Sequence, residues 1–104
     1  MFTLKTHVIV IGSGPAGLMA ALTAAGEGAR VTILESLPSP GRKLLASGAG
    51  KCNFTNMLDA EEMAERFPPE QQKFVRPVLL NFTPAMCRKF FLNNGTYIHS
   101  FKTF

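Results

Sequence analysis

The chain has 104 residues, which is enough for one small domain. Hydrophobic residues make up 46% of the sequence and charged residues 17%, a balance that excludes a disordered chain and favours a globular one. The formal net charge of +4 comes from scattered Lys and Arg residues, with no basic run interleaved with aromatics, so we expect no nucleic-acid partner.

The positions of the cysteines and one uncharged run bear on whether the protein is disulfide-bonded, metal-binding or membrane-associated. Cys52 and Cys87 lie far apart and in no CxxC pair, which argues against a disulfide framework or a metal site and favours a reducing, cytoplasmic location. The uncharged run 8–26 has the length of a membrane span or a signal sequence. Its glycines fall at fixed offsets that neither segment requires, so we expect no membrane association.

The first elements in chain order form a predicted strand–helix–strand unit. HVIVI, residues 7–11, is typical of a fully buried parallel strand. A turn and a proline suited to the first helical position then predict a helix over 15 to about 25. RVTIL, residues 30–34, predicts a second strand that ends at Glu35. The pattern predicts an α/β fold class, with a Rossmann-type βαβ core over about residues 6–35.

Residues 36–56 are rich in Gly, Ser, Pro and Asn and are predicted to form a long loop without regular structure. A loop of this length in a small domain is usually functional or disordered. We therefore treat residues 36–56 as the candidate cofactor loop of an incomplete domain.

The remainder of the chain predicts helices over residues 57–95. Asp59, with a glutamate three residues later, predicts a capping box at the start of a helix that stops near Pro68-Pro69. Thr83-Pro84 predicts the start of another helix, which Asn93-Asn94-Gly95 closes.

The turn between the first strand and the helix carries the pattern G-x-G-x-x-G at Gly12, Gly14 and Gly17. An acid, Glu35, follows 18 residues later at the end of the second strand. This context is the one that dinucleotide binding requires: a tight turn, a close backbone approach to the pyrophosphate, and close packing of the helix on the strands. Glu35 is expected to accept hydrogen bonds from the adenosine ribose, and its charge argues against NADP. FAD and NAD(H) both remain open at this point.

Three segments of the chain resemble one known family. They read VIVIGSGPAGLMAA from residue 8, VTILE from residue 31 and GRKLLASGAGKCNFTN from residue 41. These segments are similar to those of the bacterial FAD-binding flavoproteins of the aminoacetone-oxidase-like family, in the glutathione-reductase-like dinucleotide-binding superfamily. The likeness is specific over residues 7–56.

The resemblance implies FAD as the cofactor and a redox enzyme acting on a small-molecule substrate, by amine oxidation or enone reduction. It implies that the glycine turn lines the pyrophosphate, that Glu35 holds the ribose, and that the second glycine-rich segment lies along the flavin. The candidate cofactor-binding residues are Gly12, Gly14, Pro15, Ala16, Gly17, Glu35, Ser36, Arg42, Lys43, Ser47, Cys52 and Asn53. No catalytic residue is predicted. For Cys52, a packing role is favoured over contact with the flavin, since a reactive thiol needs an activating environment.

The sequence departs from the family pattern at two places. Lys51 replaces an arginine, which keeps the charge but loses the paired hydrogen-bonding geometry. Residues 96–104 lack the strand, the acid and the GRxFP-type stretch with which the family continues, so this tail is interpreted as atypical, from a shortened chain or from a reading frame broken near residue 96.

Three functional hypotheses follow. The first is the FAD-binding portion of a flavin-dependent oxidoreductase, the second an NAD(H)-binding module, and the third a truncated product without activity. Because two parallel strands with open edges make a poor sheet and one βαβ unit covers only the adenosine end of FAD, we expect residues 1–104 alone to bind FAD weakly or not at all.

Overall fold

The computed structural model describes residues 4–99. The chain divides into two compact units, the first ending at Asn53 and the second beginning at Phe54. Both units are small, and the buried apolar residues among residues 4–99 are three alanines and one proline, Ala21, Ala60, Ala64 and Pro84.

The first unit begins with the βαβ arrangement that the sequence predicts. Strand β1 (His7–Ile11), helix α1 (Pro15–Gly26) and strand β2 (Arg30–Leu34) follow in order. The two strands pair in parallel, with His7 opposite Arg30 and Ile11 opposite Leu34. Parallel neighbours need a crossover between them, and α1 supplies it. The predicted α/β fold class is confirmed.

The prediction that the first strand is fully buried is wrong on one face of the sheet. Val8 and Val10 are half-buried on the face covered by α1, whereas Ile9 and Ile11 are 59% and 86% exposed on the other. Successive side chains of a strand point to opposite faces, so a single helix covers only every second residue. The residues of β1 are apolar on both faces of the sheet, but among residues 4–99 only one of these faces is covered, by α1.

The segment predicted as a loop contains regular structure. Helix α2 (Arg42–Ala46) and a 3-10 turn (Ser47–Gly50) lie within residues 36–56. The reason is local, because RKLLA has good helix formers between Gly41, which adopts a left-handed conformation with φ +70°, and a second glycine-rich stretch. The glycines that suggested an irregular loop therefore stand at the ends of a short helix.

The second unit is helical, with α3 (Ala60–Ala64), α4 (Pro69–Asn81) and α5 (Pro84–Asn93). The predicted capping box is confirmed: the Glu62 main-chain N–H donates to Asp59 Oδ1 over 2.8 Å, and the Asp59 N–H donates to Glu62 Oε2 over 3.1 Å. Thr83 caps α5 as predicted, since its hydroxyl accepts from the Met86 N–H over 3.1 Å.

Helix α4 lies within the predicted helical range 57–95, but the sequence interpretation did not recognise it as a separate helix. Pro69 stands at its first position, where the missing N–H costs nothing, but the Pro68-Pro69 pair was interpreted only as a stop for the helix before it. Pro77 inside α4 removes a further backbone donor and obscured the helical pattern. Helix α3 itself ends earlier than expected, at Ala64.

Helix α5 ends at Asn93, in agreement with the predicted stop at Asn93-Asn94-Gly95. Residues 96–99 of the tail carry no regular structure. Residues 100–104, the remainder of the segment interpreted as atypical, lie outside the described residues.

Candidate cofactor-binding site

The turn between β1 and α1 is held at the carboxyl ends of both strands. The Gly12 N–H donates to the Leu34 carbonyl over 2.7 Å, which continues the strand pairing by one residue into the turn. Gly12 has φ +93°, a conformation that side chains rarely adopt. The first glycine of the fingerprint is therefore needed by the backbone itself.

The other two glycines meet different surroundings. A Cβ atom on Gly17 would lie 2.1 Å from the Gly12 carbonyl oxygen and 3.3 Å from Val10 Cγ1. A Cβ atom on Gly14 would meet nothing within 4 Å. Gly17 thus allows α1 to pack against the turn, whereas the space beside Gly14 is open to a ligand.

The N-terminus of α1 is free of competing side chains. Gly14 is the N-cap residue and provides no side-chain hydrogen bond, and Pro15 at the first position has no N–H. The first turn contains no acidic residue. Because a helix carries a partial positive charge of about half a unit at this end, the arrangement suits an anionic group.

Glu35 lies directly after β2 and contacts the glycine turn. Its Oε2 accepts a hydrogen bond from the Ser13 main-chain N–H over 2.9 Å. This hydrogen bond, together with one from the Ser13 side chain, holds the pKa of the Glu35 carboxyl below its usual value, although partial burial acts the other way. Glu35 is therefore a carboxylate at neutral pH and an acceptor beside the turn.

Ser13 is the residue of this site that the sequence interpretation missed. It is only 2% exposed, and its hydroxyl oxygen accepts a hydrogen bond from the Gly41 N–H over 3.2 Å. Ser13 occupies a variable position of the glycine pattern, so the motif by itself gave it no role. The sequence signal that could have indicated a role for Ser13 is its hydroxyl, which stands between two glycines that have no side chain.

The side chains of the second segment are more exposed. Arg42 and Lys43 lie on α2 at the surface, and Arg42 Nε donates to Ser39 Oγ over 3.2 Å. The Ser47 hydroxyl donates to the Leu44 carbonyl over 2.7 Å, and Ser36 is exposed just after β2. The Gly41 N–H ties the start of α2 to the glycine turn, whereas Arg42 and Ser47 make their hydrogen bonds to residues close by in the chain.

Cys52 and Asn53 end the second segment in a tight turn. The Cys52 N–H donates to the Ser47 carbonyl over 3.3 Å, and a Cβ atom on Gly48 would lie 2.9 Å from the Asn53 main-chain nitrogen. Cys52 and Ala49 both adopt positive φ angles, 50° and 51°, which cost a residue with a side chain about 1–2 kcal/mol. Strain of this kind concentrates at binding segments. The Cys52 thiol is half-buried and free.

None of the candidate residues lines either of two cavities. One of about 540 Å³ lies at the opposite end of the strand unit, beside Thr6 and Gly28. Another of about 210 Å³ lies in the helical unit, lined by apolar groups and Cys87. Within residues 4–99, no helix is both long and apolar enough to cross a bilayer, and no three His, Cys, Asp or Glu side chains cluster as metal ligands.

Three features define a dinucleotide-binding fold of the Rossmann type. The first is the parallel βαβ unit, and the second is a glycine turn with no room for a Cβ atom at Gly17 but open space at Gly14. The third is an acid, Glu35, beside that turn. A family model described as the HI0933-like protein Rossmann domain matches residues 6–103, and the chain belongs to this family. It falls in the FAD-dependent pyridine nucleotide-disulphide oxidoreductase superfamily. The match extends into the segment interpreted as an atypical tail.

Curated relatives are flavin-dependent oxidoreductases of greater length. The chain is 39% identical over 94 residues to the 3-dehydro-bile acid delta(4,6)-reductase of Clostridium scindens, covering 88% of this chain and 22% of that protein. It is 32% identical over 94 residues to the 3-oxosteroid 1-dehydrogenase of Mycolicibacterium smegmatis, covering 90% and 16%. It is 47% identical over 53 residues to the ribosomal RNA dihydrouridine synthase of Escherichia coli, covering 51% and 13%. The chain corresponds to the N-terminal FAD-binding Rossmann portion of such enzymes.

Proposed function

We propose that this chain itself binds FAD weakly, as expected for one βαβ unit that covers only the adenosine end, with the pyrophosphate against the turn between β1 and α1. The observation that carries the proposal is the contrast between two glycines: Gly17 has no room for a Cβ atom, whereas Gly14 has open space. Of these two glycines, only Gly17 is required by the protein's own packing. The second glycine of a fingerprint between a strand and a helix is where the backbone approaches the pyrophosphate, and the open space beside Gly14 suits that approach.

The proposed roles follow the geometry of the turn. Residues 12–17, which include Pro15 and Ala16, provide backbone and a positive helix end for the pyrophosphate, without a side chain in the way. Glu35, held as a carboxylate by the Ser13 hydrogen bonds, accepts from the adenosine ribose hydroxyls. The second segment, with Ser36, Arg42, Lys43, Ser47, Cys52 and Asn53, lies along the flavin side.

When bound, the isoalloxazine ring supplies hydride and electron transfer, while the protein supplies position and electrostatic field. The three relatives named above are, by their names, enzymes that reduce or introduce carbon–carbon double bonds. We propose this reaction type, on a small-molecule substrate, for the protein to which the chain belongs. The GRKLLASGAGKCNFTN segment supports membership of the aminoacetone-oxidase-like group, for which amine oxidation is the second candidate.

The test is a titration of the ¹⁵N-labelled chain with FAD, followed by amide chemical shifts. This measurement detects dissociation constants in the millimolar range and reports which residues respond. We expect the largest changes at the amides of residues 12–17. Gly14→Val is expected to remain folded, since its φ of −71° and ψ of 178° suit a β-branched residue, and to abolish these changes by filling the pyrophosphate approach.

Gly26→Val is the matched control. Gly26 ends the same helix and a Cβ atom there also meets nothing within 4 Å, so this variant should bind FAD as the parent chain does. A folded Gly14→Val chain with unchanged FAD affinity would refute the site. A parent chain with no response to FAD at millimolar concentration would refute FAD binding by these residues.

A further inference from the structure

Ser13 makes hydrogen bonds that lead to two different parts of the site. Its main-chain N–H donates to Glu35 Oε2 over 2.9 Å, and its hydroxyl oxygen accepts from the Gly41 N–H over 3.2 Å. Glu35 ends the first strand–helix–strand unit, whereas Gly41 is the residue from which α2 begins. One buried residue therefore joins the two glycine-rich segments.

The two hydrogen bonds differ in what a substitution can remove. The N–H of residue 13 is present in every residue except proline, so the main-chain contact with Glu35 survives most changes, whereas the side-chain contact with Glu35 does not. The contact with Gly41 depends on the hydroxyl alone. Ser13 is 2% exposed, so water does not readily replace that oxygen when it is deleted.

Gly41 determines where α2 starts. It adopts a left-handed conformation with φ +70°, and Arg42 and Lys43 follow it immediately. A change in the position or order of Gly41 moves both cations and the first turn of α2 with them. The hydroxyl of Ser13 thus controls the placement of the second segment relative to the glycine turn.

We propose that Ser13 is a positioning residue that aligns the second glycine-rich segment, residues 41–53, for the flavin half of FAD. The adenosine half depends on the glycine turn, residues 12–17, and on Glu35. The inference rests on the proposed function, because it assumes FAD at this site. The proposal predicts that a Ser13 substitution affects the binding of the flavin half more than the binding of the adenosine half. ADP, which lacks the flavin, should depend on Glu35 and the glycine turn, and on the Ser13 hydroxyl only through its contact with Glu35.

The experiment compares the affinities of the chain for FAD and for ADP, each measured by amide shift titration. In Ser13→Ala we expect FAD binding to weaken about threefold to tenfold, the effect of one neutral hydrogen bond. ADP binding should weaken by a smaller factor, because the main-chain N–H of residue 13 still holds Glu35. Thr23→Ala is the control, since its hydroxyl bonds only to the Met19 carbonyl within α1; both affinities should stay unchanged. A role confined to folding would weaken FAD and ADP binding equally.

Amide hydrogen exchange provides a measurement that needs no ligand. The Gly41 amide of the parent chain should exchange more slowly than an unbonded amide, and in Ser13→Ala this protection should disappear. An unprotected Gly41 amide in the parent chain would overturn the proposal, as would equal losses of FAD and ADP affinity. A parent chain that binds neither ligand would instead refute the proposed function, so the two failures are distinguishable.

Discussion

The Gly17→Ala substitution probes the close contact that holds α1 to the glycine turn. The new methyl carbon would lie 2.1 Å from the Gly12 carbonyl oxygen and 3.1 Å from the Gly12 carbonyl carbon. The obstructing atoms belong to the backbone, so no side-chain rotation relieves the clash. Because non-bonded carbon atoms prefer separations of about 3.5–4.0 Å, the helix start and the turn must separate by more than about 1 Å.

The cost of that separation exceeds the benefit of alanine in a helix. Overpacking of a close contact costs about 1–3 kcal/mol, and a backbone obstruction belongs at the upper end of this range. Alanine in place of a helical glycine contributes about 1 kcal/mol in the opposite direction. The net destabilisation is about 2 kcal/mol, which lowers the melting temperature of a domain of this size by about 8–16 °C.

Thermal unfolding followed by circular dichroism measures the effect. Gly26→Ala is the matched control in the same helix, because a Cβ atom there meets nothing within 4 Å and the helix gains up to about 1 kcal/mol. A Gly17→Ala chain that melts at or above the temperature of the parent would show that the contact does not hold α1 in place. Equal gains in both variants would show that glycine at either position matters only for helix propensity.

Two further predictions concern stability. Asp59→Ala removes the capping-box acceptor of α3 and should lower the free energy of unfolding by about 1 kcal/mol, whereas Asp59→Ser retains an acceptor; equal urea midpoints for the two variants would contradict this. The lowered pKa of Glu35 stabilises the fold above the ordinary glutamate value of about 4.3, and this contribution is lost as the pH falls through the lower folded-state value. Urea midpoints of Glu35→Gln should therefore fall less between pH 5 and pH 3 than those of the parent, and parallel curves would refute the role of the Ser13 hydrogen bonds.

Several elements could be predicted because their causes are local. The β-branched runs 7–11 and 30–34 form strands with the predicted bounds, and Asp59 and Thr83 cap helices as their spacing indicates. Each depends on residues within a few positions of one another, so the amino-acid order contains the information. Helix α4 was not recognised as a separate helix because a proline can begin a helix as well as end one, and the local sequence does not distinguish the two cases.

The amino-acid sequence by itself determined the class of this protein: a strand, a glycine turn, a helix, a strand and an acid in an order that suits a dinucleotide. The fingerprint also assigned the approach of a ligand to its second glycine and helix packing to its third. Only the tertiary structure gave the distances between α1 and the turn that make Gly17 necessary. It also decided that Ser13 bonds to Glu35 and Gly41, residues 22 and 28 positions away. Contacts between distant positions form only when the chain folds back on itself, so no local pattern in the sequence records them.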